Sequence, residues 1–523
     1  MFSVIIENAT IVDGTGNKPY KADIAILNDR ISYIGDCNKI EATQRINAES
    51  LVVLPGFIDV HTHSDVIYYT QPNRDEAICQ GITTEITGSC GIGTFPLSRS
   101  YDDYEPTMRG ILGHRISRSP YKSTGEYLSS LPKTGLNVAA QLAHSPLRAE
   151  AVGYSDVPLV GESLKSAINL MKKSLDEGAV SFSTGLSYYP ASFGDTEELV
   201  ELCKVAKQYD VPICAHLRSV LRKPIPNYDK RNELLEIGER TGIRIHYSHY
   251  RTTPDTVGNL HAHFAPIERG LSEGLSVTAD IYPYPIGAGF CPVYLPLWAM
   301  DGGYSSIMKR LQDKSMRKQI IEDLSFSFPP IQNGRFLHAP HHPEYLGRTY
   351  QEIAKERNQT IAEMLVDLLR EEELNLGFSH GEFTSEQERA LEKDFTQILS
   401  KPYYMGGSDA IAVHSFPHPR TFGAFSKLVR LCYEHSVPIE IVANRLSNLP
   451  AQLFQLKDRG EIAVGKFADL CLFTPGNPTD MATFSDPQKL AIGMEHVIIN
   501  GDFVLKNGEL TGTLAGRPLF RGR

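Results

Sequence analysis

The chain has 523 residues, 41% of them hydrophobic, and a formal net charge of −10 at pH 7. That length can bury a large core, and the acidic balance excludes a dedicated nucleic-acid binder, which needs a basic patch. No uninterrupted apolar stretch reaches the roughly 18–20 residues that span a bilayer, so no membrane segment is expected. The opening MFSVIIENAT has no basic n-region, no long apolar run and no small-residue cleavage site, and predicts no signal peptide. Eight cysteines are scattered without a CxxC pair, which predicts no disulfides and a cytoplasmic location.

Residues 1–54 alternate β-branched runs with Gly and Asp breaks: SVIIENATIV, DGTG, KADIAILN, ISYIGD and LVVLPG. This is the texture of a small β-structure. The middle differs. Strand-like runs fall at 57–63 (FIDVHTH), 83–88, 137–144, 179–185, 211–217, 243–249, 276–282 and 403–409, eight in all. Helical patterns with apolar residues three and four apart lie between several of them, at 161–178 and 196–210. Alternating strands and helices predict a parallel sheet, and eight such units predict a closed (β/α)8 barrel over 55–457. The long gap before the last strand, with the Pro- and His-rich APHHPEY at 339–345, predicts an insertion near 285–345 over the barrel mouth. From 458 to 523 the strand–turn texture returns, in GEIAVGKFADLCLFT and HVIINGDFVLKNGEL. The two β-rich ends are expected to assemble into one small β-domain.

Active groups of such barrels gather at the C-terminal ends of strands. Those ends hold His61 and His63, Cys90, His144, His216, His249 and Asp409. Residues two apart on a strand face the same side, so His61 and His63 can share one cation. Taken singly, each histidine reads as core or surface, Cys90 as a small buried hydrophobe and Asp409 as a cap. Together, imidazole, thiolate and carboxylate at one end of several strands are the mixture zinc accepts. His261 and His263 lie in a helical pattern where residues two apart diverge. His341 and His342 sit in a Pro-flanked loop, expected to be exposed. His246 has the opposite strand parity to His249, so at most one of them is expected to face inward, and His249 is the nearer to the strand end.

PGFIDVHTHSD, GITTEITGSCG, FSTGLSYYPASF, AHLRS, YSHYR, GSDA with HPRTFGAF, and GEIAVGKFADL together resemble the amidohydrolase superfamily, in its D-aminoacylase (N-acyl-D-amino-acid deacylase) branch. The resemblance covers nearly the whole chain and implies a metal-bearing barrel with a small β-sandwich from both termini. Many amidohydrolases carry a carboxylated lysine at the end of the fourth strand; AVSFSTGLSYYP offers none. The branch uses a cysteine after the second strand instead, which Cys90 matches. The resemblance implies one tight zinc site at Cys90, His216 and His249 and a second, weaker position at His61, His63 and Asp409. It implies amide hydrolysis, with Asp409 as general base and then acid for the leaving amine.

Arg251 and Arg420 match the positions that bind the substrate carboxylate, and Tyr188 and Tyr282 match pocket tyrosines. Arg251 departs from the usual lysine, HLRSV from HLRNE, HTHSD from HTHDD, and GSC from GNC. The implied partner is a small-molecule substrate, an N-acyl-D-amino acid, with no nucleic acid and no membrane. Cyclic-amide hydrolysis of the dihydropyrimidinase or hydantoinase kind is the alternative, disfavoured by the absent lysine. An inactive binding protein is the other, disfavoured because every ligand type is in place.

Overall fold

The computed structural model describes residues 1–114, 120–219, 229–325 and 334–522. The chain begins with β1 (Phe2–Ile11), which pairs antiparallel with β2 (Tyr20–Leu27), and β2 pairs with β3 (Arg30–Gly35). β4 (Ala42–Asn47) and β5 (Val52–Pro55) lie parallel to β1. The β1–β2 register shifts between Ile6 and Ala9, where Asn8 has a positive φ of 58°. One extra residue reverses the alternation. Val4 and Ile6 before it, and Ala9 and Ile11 after it, therefore all enter one apolar cluster.

Gly56 links β5 directly to β6 (Phe57–Asp59), where the architecture changes. β6 pairs parallel with β7 (Ile82–Thr87), and β7 with β8 (Asn137–Ala140). After Gln141 the chain re-enters strand as β9 (Leu142–Ala143). Parallel pairing continues through β10 (Phe182–Gly185), β11 (Ile213–His216), β12 (Ile245–Tyr247) and β13 (Val277–Ile281). A long excursion carries the antiparallel set β14 (Ala288–Phe290), β15 (Arg335–His338) and β16 (Gly377–Ser379). The chain then returns as β17 (Tyr404–Gly406), parallel to β13. Just beyond β17, Thr62 and Ala410 form a parallel bridge, and the His63 amide donates to the Ala410 carbonyl at 2.9 Å.

All eight expected strands are present in this parallel set. The expected helices are Gly161–Asp176 and Thr196–Gln208; the second is capped by the Asp195 side chain, which accepts from the Glu198 amide. Alternate strand residues divide between two cores. Ile58, Val60, Ile86, Ala139, Cys214 and Met405 meet one another and Phe454. Phe57, Val138, Phe182, Ile213 and Ile245 pack with residues of the surrounding helices.

The 285–345 segment is the first part of the longer excursion between β13 and β17. Residues 326–333 of it lie outside the described residues. Phe290, Cys291, Ile307, Leu311, Phe336, Met364, Leu368 and Phe378 bury a core of its own, shared with Tyr104, Met108 and Ile111. His341 and His342 are tied to it by Glu372. The His341 amide donates to that carboxylate at 2.9 Å, and His342 Nδ1 lies 2.7 Å from it. His341 is exposed, as its loop predicted, and His342 is only partly so.

β18 (Leu470–Phe473), β19 (Met494–Ile499), β20 (Asp502–Lys506) and β21 (Glu509–Leu510) return to the first sheet. The order β21-β20-β19-β18-β5-β1-β2-β3, with β4 also on β1, makes one nine-stranded sheet from both chain ends. The eight cysteines are all free and buried. Among the described residues no helix is long and apolar enough to cross a membrane.

A buried polar knot joins this sheet to β8. Asp469 accepts from the Asn500 amide at 2.7 Å and from Asn137 Nδ2 at 3.2 Å, and it pairs with Arg459. Asn500 Nδ2 donates to Asn137 Oδ1 at 2.8 Å. Asp469→Ala would leave the Arg459 charge buried without its counter-ion, a loss of about 3–5 kcal/mol. A denaturant titration should show it as a lowered midpoint.

Candidate metal centre

The alternation of β6 runs on past its last paired residue. His61 and His63 point to the same side, with ring centres 5.8 Å apart, while Thr62 Oγ1 donates to the Ile86 carbonyl. Cys90 stands in the turn after β7, His216 ends β11, and His249 and Asp409 follow β12 and β17. Cys90, His249 and Asp409 have positive φ values of 55°, 38° and 53°. Non-glycine residues held there cost of order 1–3 kcal/mol each and persist where the surroundings impose them. The impositions are visible. The His249 amide donates to Asp280 Oδ1 at 2.9 Å, and the Asp409 amide to the His61 carbonyl at 2.8 Å. The Cys90 turn is pressed against Gly185, where a Cβ would lie 1.9 Å from the Cys90 carbonyl oxygen.

The donor atoms converge. Cys90 Sγ lies 3.2 Å from His61 Nε2, 3.5 Å from His249 Nε2 and 3.9 Å from His216 Nδ1. Asp409 Oδ1 lies 3.3 Å from His63 Nε2 and 3.5 Å from His61 Nε2. Among the described residues three overlapping triples form, each with donor atoms within 4.8 Å: His61, His63 and Cys90; Cys90, His216 and His249; His61, His249 and Asp409. Zinc bonds of about 2.3 Å to sulfur and 2.0–2.1 Å to nitrogen place tetrahedral neighbours about 3.3–3.6 Å apart. Most spacings lie near this range; His216 Nδ1 to His249 Nε2, at 2.8 Å, and Cys90 Sγ to His61 Nε2, at 3.2 Å, are shorter, and Cys90 Sγ to His216 Nδ1, at 3.9 Å, is longer.

Electrostatics agrees with the donor geometry. Burial pushes His216 well down and His249 down to about 4, so both are neutral with a lone pair to offer. Burial also lowers His61, but Cys90, Asp280 and Asp409 outweigh it and carry it well up. Burial raises the Cys90 thiol against the pull of His61, so a cation is what would favour its thiolate. Burial likewise opposes ionisation of Asp409. Arg420, His61 and His63 overcome that and hold its carboxyl well below the usual range.

The four other predicted residues stand around the cluster. Arg420 Nη1 is 2.8 Å from Asp409 Oδ2. Arg251 Nη2 donates to the Tyr282 hydroxyl at 3.0 Å. The Arg251 and Arg420 guanidinium carbons lie 4.3 and 4.6 Å from the Tyr282 ring centre, so two cations share one aromatic ring. Tyr188 packs on His216 with ring centres 4.5 Å apart, its hydroxyl 3.3 Å from His216 Nδ1.

His144 is not part of the gathering. It opens a helix and binds Thr184 Oγ1 at 3.0 Å and Glu198 at 2.8 Å. His261 is exposed while His263 is buried against Tyr404, as their spacing predicted. The parity expectation for His246 and His249 fails, because both reach the interior. Strand β12 ends at Tyr247, and the positive φ of His249 breaks the alternation before it can apply. His246 Nε2 meets Asp280 Oδ2 at 2.9 Å. Sequence reasoning passed over Asp280, although a carboxylate inside the apolar strand SVTADIY is a signal, since such groups are buried only with partners.

The sequence profile of the Amidohydrolase family matches residues 359–505. Over nearly full length, three proteins of Alcaligenes xylosoxydans xylosoxydans are similar. A D-aminoacylase is 27% identical, covering 99% of this chain and 98% of its own. An N-acyl-D-glutamate deacylase is 28% identical (95% and 92%), and an N-acyl-D-aspartate deacylase 29% identical (98% and 93%). The crystal structure of an N-acyl-D-glutamate deacylase from Bordetella bronchiseptica, complexed with zinc and a phosphonate inhibitor, superposes with a TM-score of 0.82 at 26% identity over 99% of both chains. That of a D-aminoacylase gives 0.81 at 26% identity over 100% of both.

The Gly185 contact can be tested without any ligand. Gly185→Ala places a methyl group against backbone, which cannot rotate away, so the Cys90 turn must shift at a cost of about 1–3 kcal/mol. A lower melting temperature and one additional thiol open to a disulfide reagent are expected. The same variant carrying Cys90→Ser should lack that extra thiol.

Proposed function

We propose, from the premise that this chain is an amidohydrolase of the D-aminoacylase branch, that it hydrolyses the amide bond of N-acyl-D-amino acids, releasing a carboxylate and a D-amino acid. The observation that carries the reading is the convergence of Cys90, His216, His249, His61, His63 and Asp409 beside two arginines. The enzyme is metal-dependent. We take the metal as zinc, held tightly by Cys90, His216 and His249, with a second, weaker position at His61, His63 and Asp409. Cys90 stands between the two sets, nearer to His61 than to His216. We take the eight parallel strands, joined where Thr62 meets Ala410, as a closed barrel, and the nine-stranded sheet as the small β-sandwich. Free buried cysteines suit a reducing cytoplasm.

Bound zinc would polarise the scissile carbonyl and lower the pKa of a water molecule to about 7. The protein supplies the rest. Asp409 is ionised, and Arg420 occupies its Oδ2, so Oδ1 on the histidine side is the atom left to accept the proton of the attacking water. The same oxygen then gives that proton to the amine nitrogen, which leaves poorly unless protonated. Arg251 and the unpartnered Nε of Arg420 would hold the substrate carboxylate, with Tyr282 fixing the separation of the two guanidinium groups. Tyr188 holds the His216 ring and walls the pocket on that side. β10 carries Ser183 and Thr184 where a cyclic-amide hydrolase of the bridging-lysine kind would need lysine.

The test is hydrolysis of N-acyl-D-amino acids and their L-enantiomers by purified, chelator-stripped and zinc-restored protein. D-selective turnover, lost on stripping and regained with zinc, is expected. A zinc-loaded protein inert across the panel would reject the reading. Arg251→Ala should raise KM much more than it lowers kcat, because the clamp binds substrate and transition state alike. Arg251→Lys should recover most of that loss, since a lysine is usual at this position in the resembling branch. Steady-state kinetics on the preferred substrate reads both.

A further inference from the structure

One carboxylate outside the donor set touches it twice. Asp280, on β13, is fully buried. Its Oδ2 lies 3.3 Å from His61 Nδ1 and 2.9 Å from His246 Nε2, and its Oδ1 accepts from the His249 amide at 2.9 Å. An aspartate surrounded by N–H groups only accepts, so His61 must carry its proton on Nδ1. A cation taking the place of the second proton would then meet the Nε2 lone pair of His61, which faces Cys90 Sγ, the direction in which a ligand has to point. The bond to His249 acts on backbone rather than on a ring, and holds the residue at the positive φ that turns its side chain inward.

Asp280 is itself aimed. His246 Nδ1 lies 2.9 Å from Thr278 Oγ1, two residues before Asp280 on the same strand, so the His246 ring spans from β12 to β13 and holds the carboxylate from behind. Gly407 closes the other side. A Cβ there would lie 2.9 Å from Asp280 Oδ1 and 2.8 Å from the His61 Cβ. Rotation of the carboxylate is therefore blocked on one side and bonded on three others.

We propose that Asp280, aimed by His246, is a positioning residue that sets the His61 ring and the His249 backbone together, so that one carboxylate orients a ligand of each metal position. This rests on reading the cluster as a metal centre, but not on the identity of the substrate. It accounts for His246, which has no place among the ligands, and it makes filling of the two positions interdependent.

The experiment is zinc binding to the full chain, by competition with a chromophoric chelator and by elemental analysis, for wild type, Asp280→Asn, His246→Phe and His246→Gln. Thermal melts confirm folding, and the thiolate-to-metal absorption of cobalt-loaded protein reports geometry. Asn keeps an acceptor for the His249 amide but turns an N–H toward His61 Nδ1. Asp280→Asn should weaken zinc binding about 10–100-fold, lower occupancy of both positions and change the cobalt spectrum. His246→Phe should move binding in the same direction. His246→Gln, whose amide can still donate to Asp280, should recover part of it. Unchanged zinc affinity and stoichiometry in a folded Asp280→Asn would overturn the proposal, as would a Gln variant no better than Phe. Wild type that binds no zinc would overturn the metal-centre reading and the proposal with it. Wild type that binds zinc without cleaving N-acyl-D-amino acids would overturn only the substrate assignment, and the binding comparison would still decide the role of Asp280.

Discussion

The amide of Asp409 donates to the carbonyl of His61 at 2.8 Å, and much of the molecule hangs on that bond. It ties the end of the last parallel strand to the end of the first, so the two ends of the strand set meet. It also lies between two residues of the donor cluster, and one backbone contact therefore sets the distance from carboxylate to imidazole. Asp409 accepts a left-handed backbone to make the bond. Its side chain is thereby turned to face His63 and Arg420 together.

The interior this creates is buried and crowded with ionisable groups, which would be untenable without strict pairing. Asp409 has Arg420, Asp280 has His61 and His246, and Glu198 has His144 and Arg148. Asp59 and Asp65 are less well served. Burial pushes each up to about 7, and each has one oxygen without a hydrogen-bond partner. The carboxylates nearest the cluster are thus the ones held charged, and those one layer away are held near neutrality. Cationic and neutral nitrogen are arranged the same way. Arginine stands where a substrate carboxylate would lie, and His216 and His249, both held neutral by burial, where a cation would.

Much of this was legible because buried parallel strands announce themselves as short apolar runs, and because the strand-end residues of such a sheet meet in space whatever their separation in the chain. His61, Cys90, His216 and Asp409 needed no more than that. His249 enters the cluster for a reason other than strand parity. Its distance from the strand end mattered, but parity did not, since a positive φ follows the last paired residue. Asp280 was missed because its partners come from β6 and β12, and nothing local shows that a carboxylate in an apolar strand has three N–H donors waiting. The bulge in β1 was equally hidden, since NAT offers no glycine to mark it. The excursion between β13 and β17 was seen only in part, because its core forms between segments far apart in sequence.

The nine-stranded sheet lies outside the donor cluster, yet it carries the strand that leads into it. β5 belongs to that sheet, and β6, which leads into His61 and His63, follows it after Gly56 alone. There is no loop to absorb a movement. The Gly56 amide is held by the Asp469 carbonyl at 2.8 Å, and the Pro55 carbonyl accepts from Ser447 Oγ at 3.0 Å. A Cβ on Gly56 would meet Thr83 Oγ1 at 2.4 Å, so the linker is pressed against β7 as well. Any tilt of the sheet would be delivered within a few residues to His61, and from there to Asp280 and Cys90. Building the sheet from both ends of the chain clamps β5 between β1 and β18 and denies it that freedom. A sheet made from the first 54 residues alone would leave β5 an edge strand, with the metal centre hung from its free side.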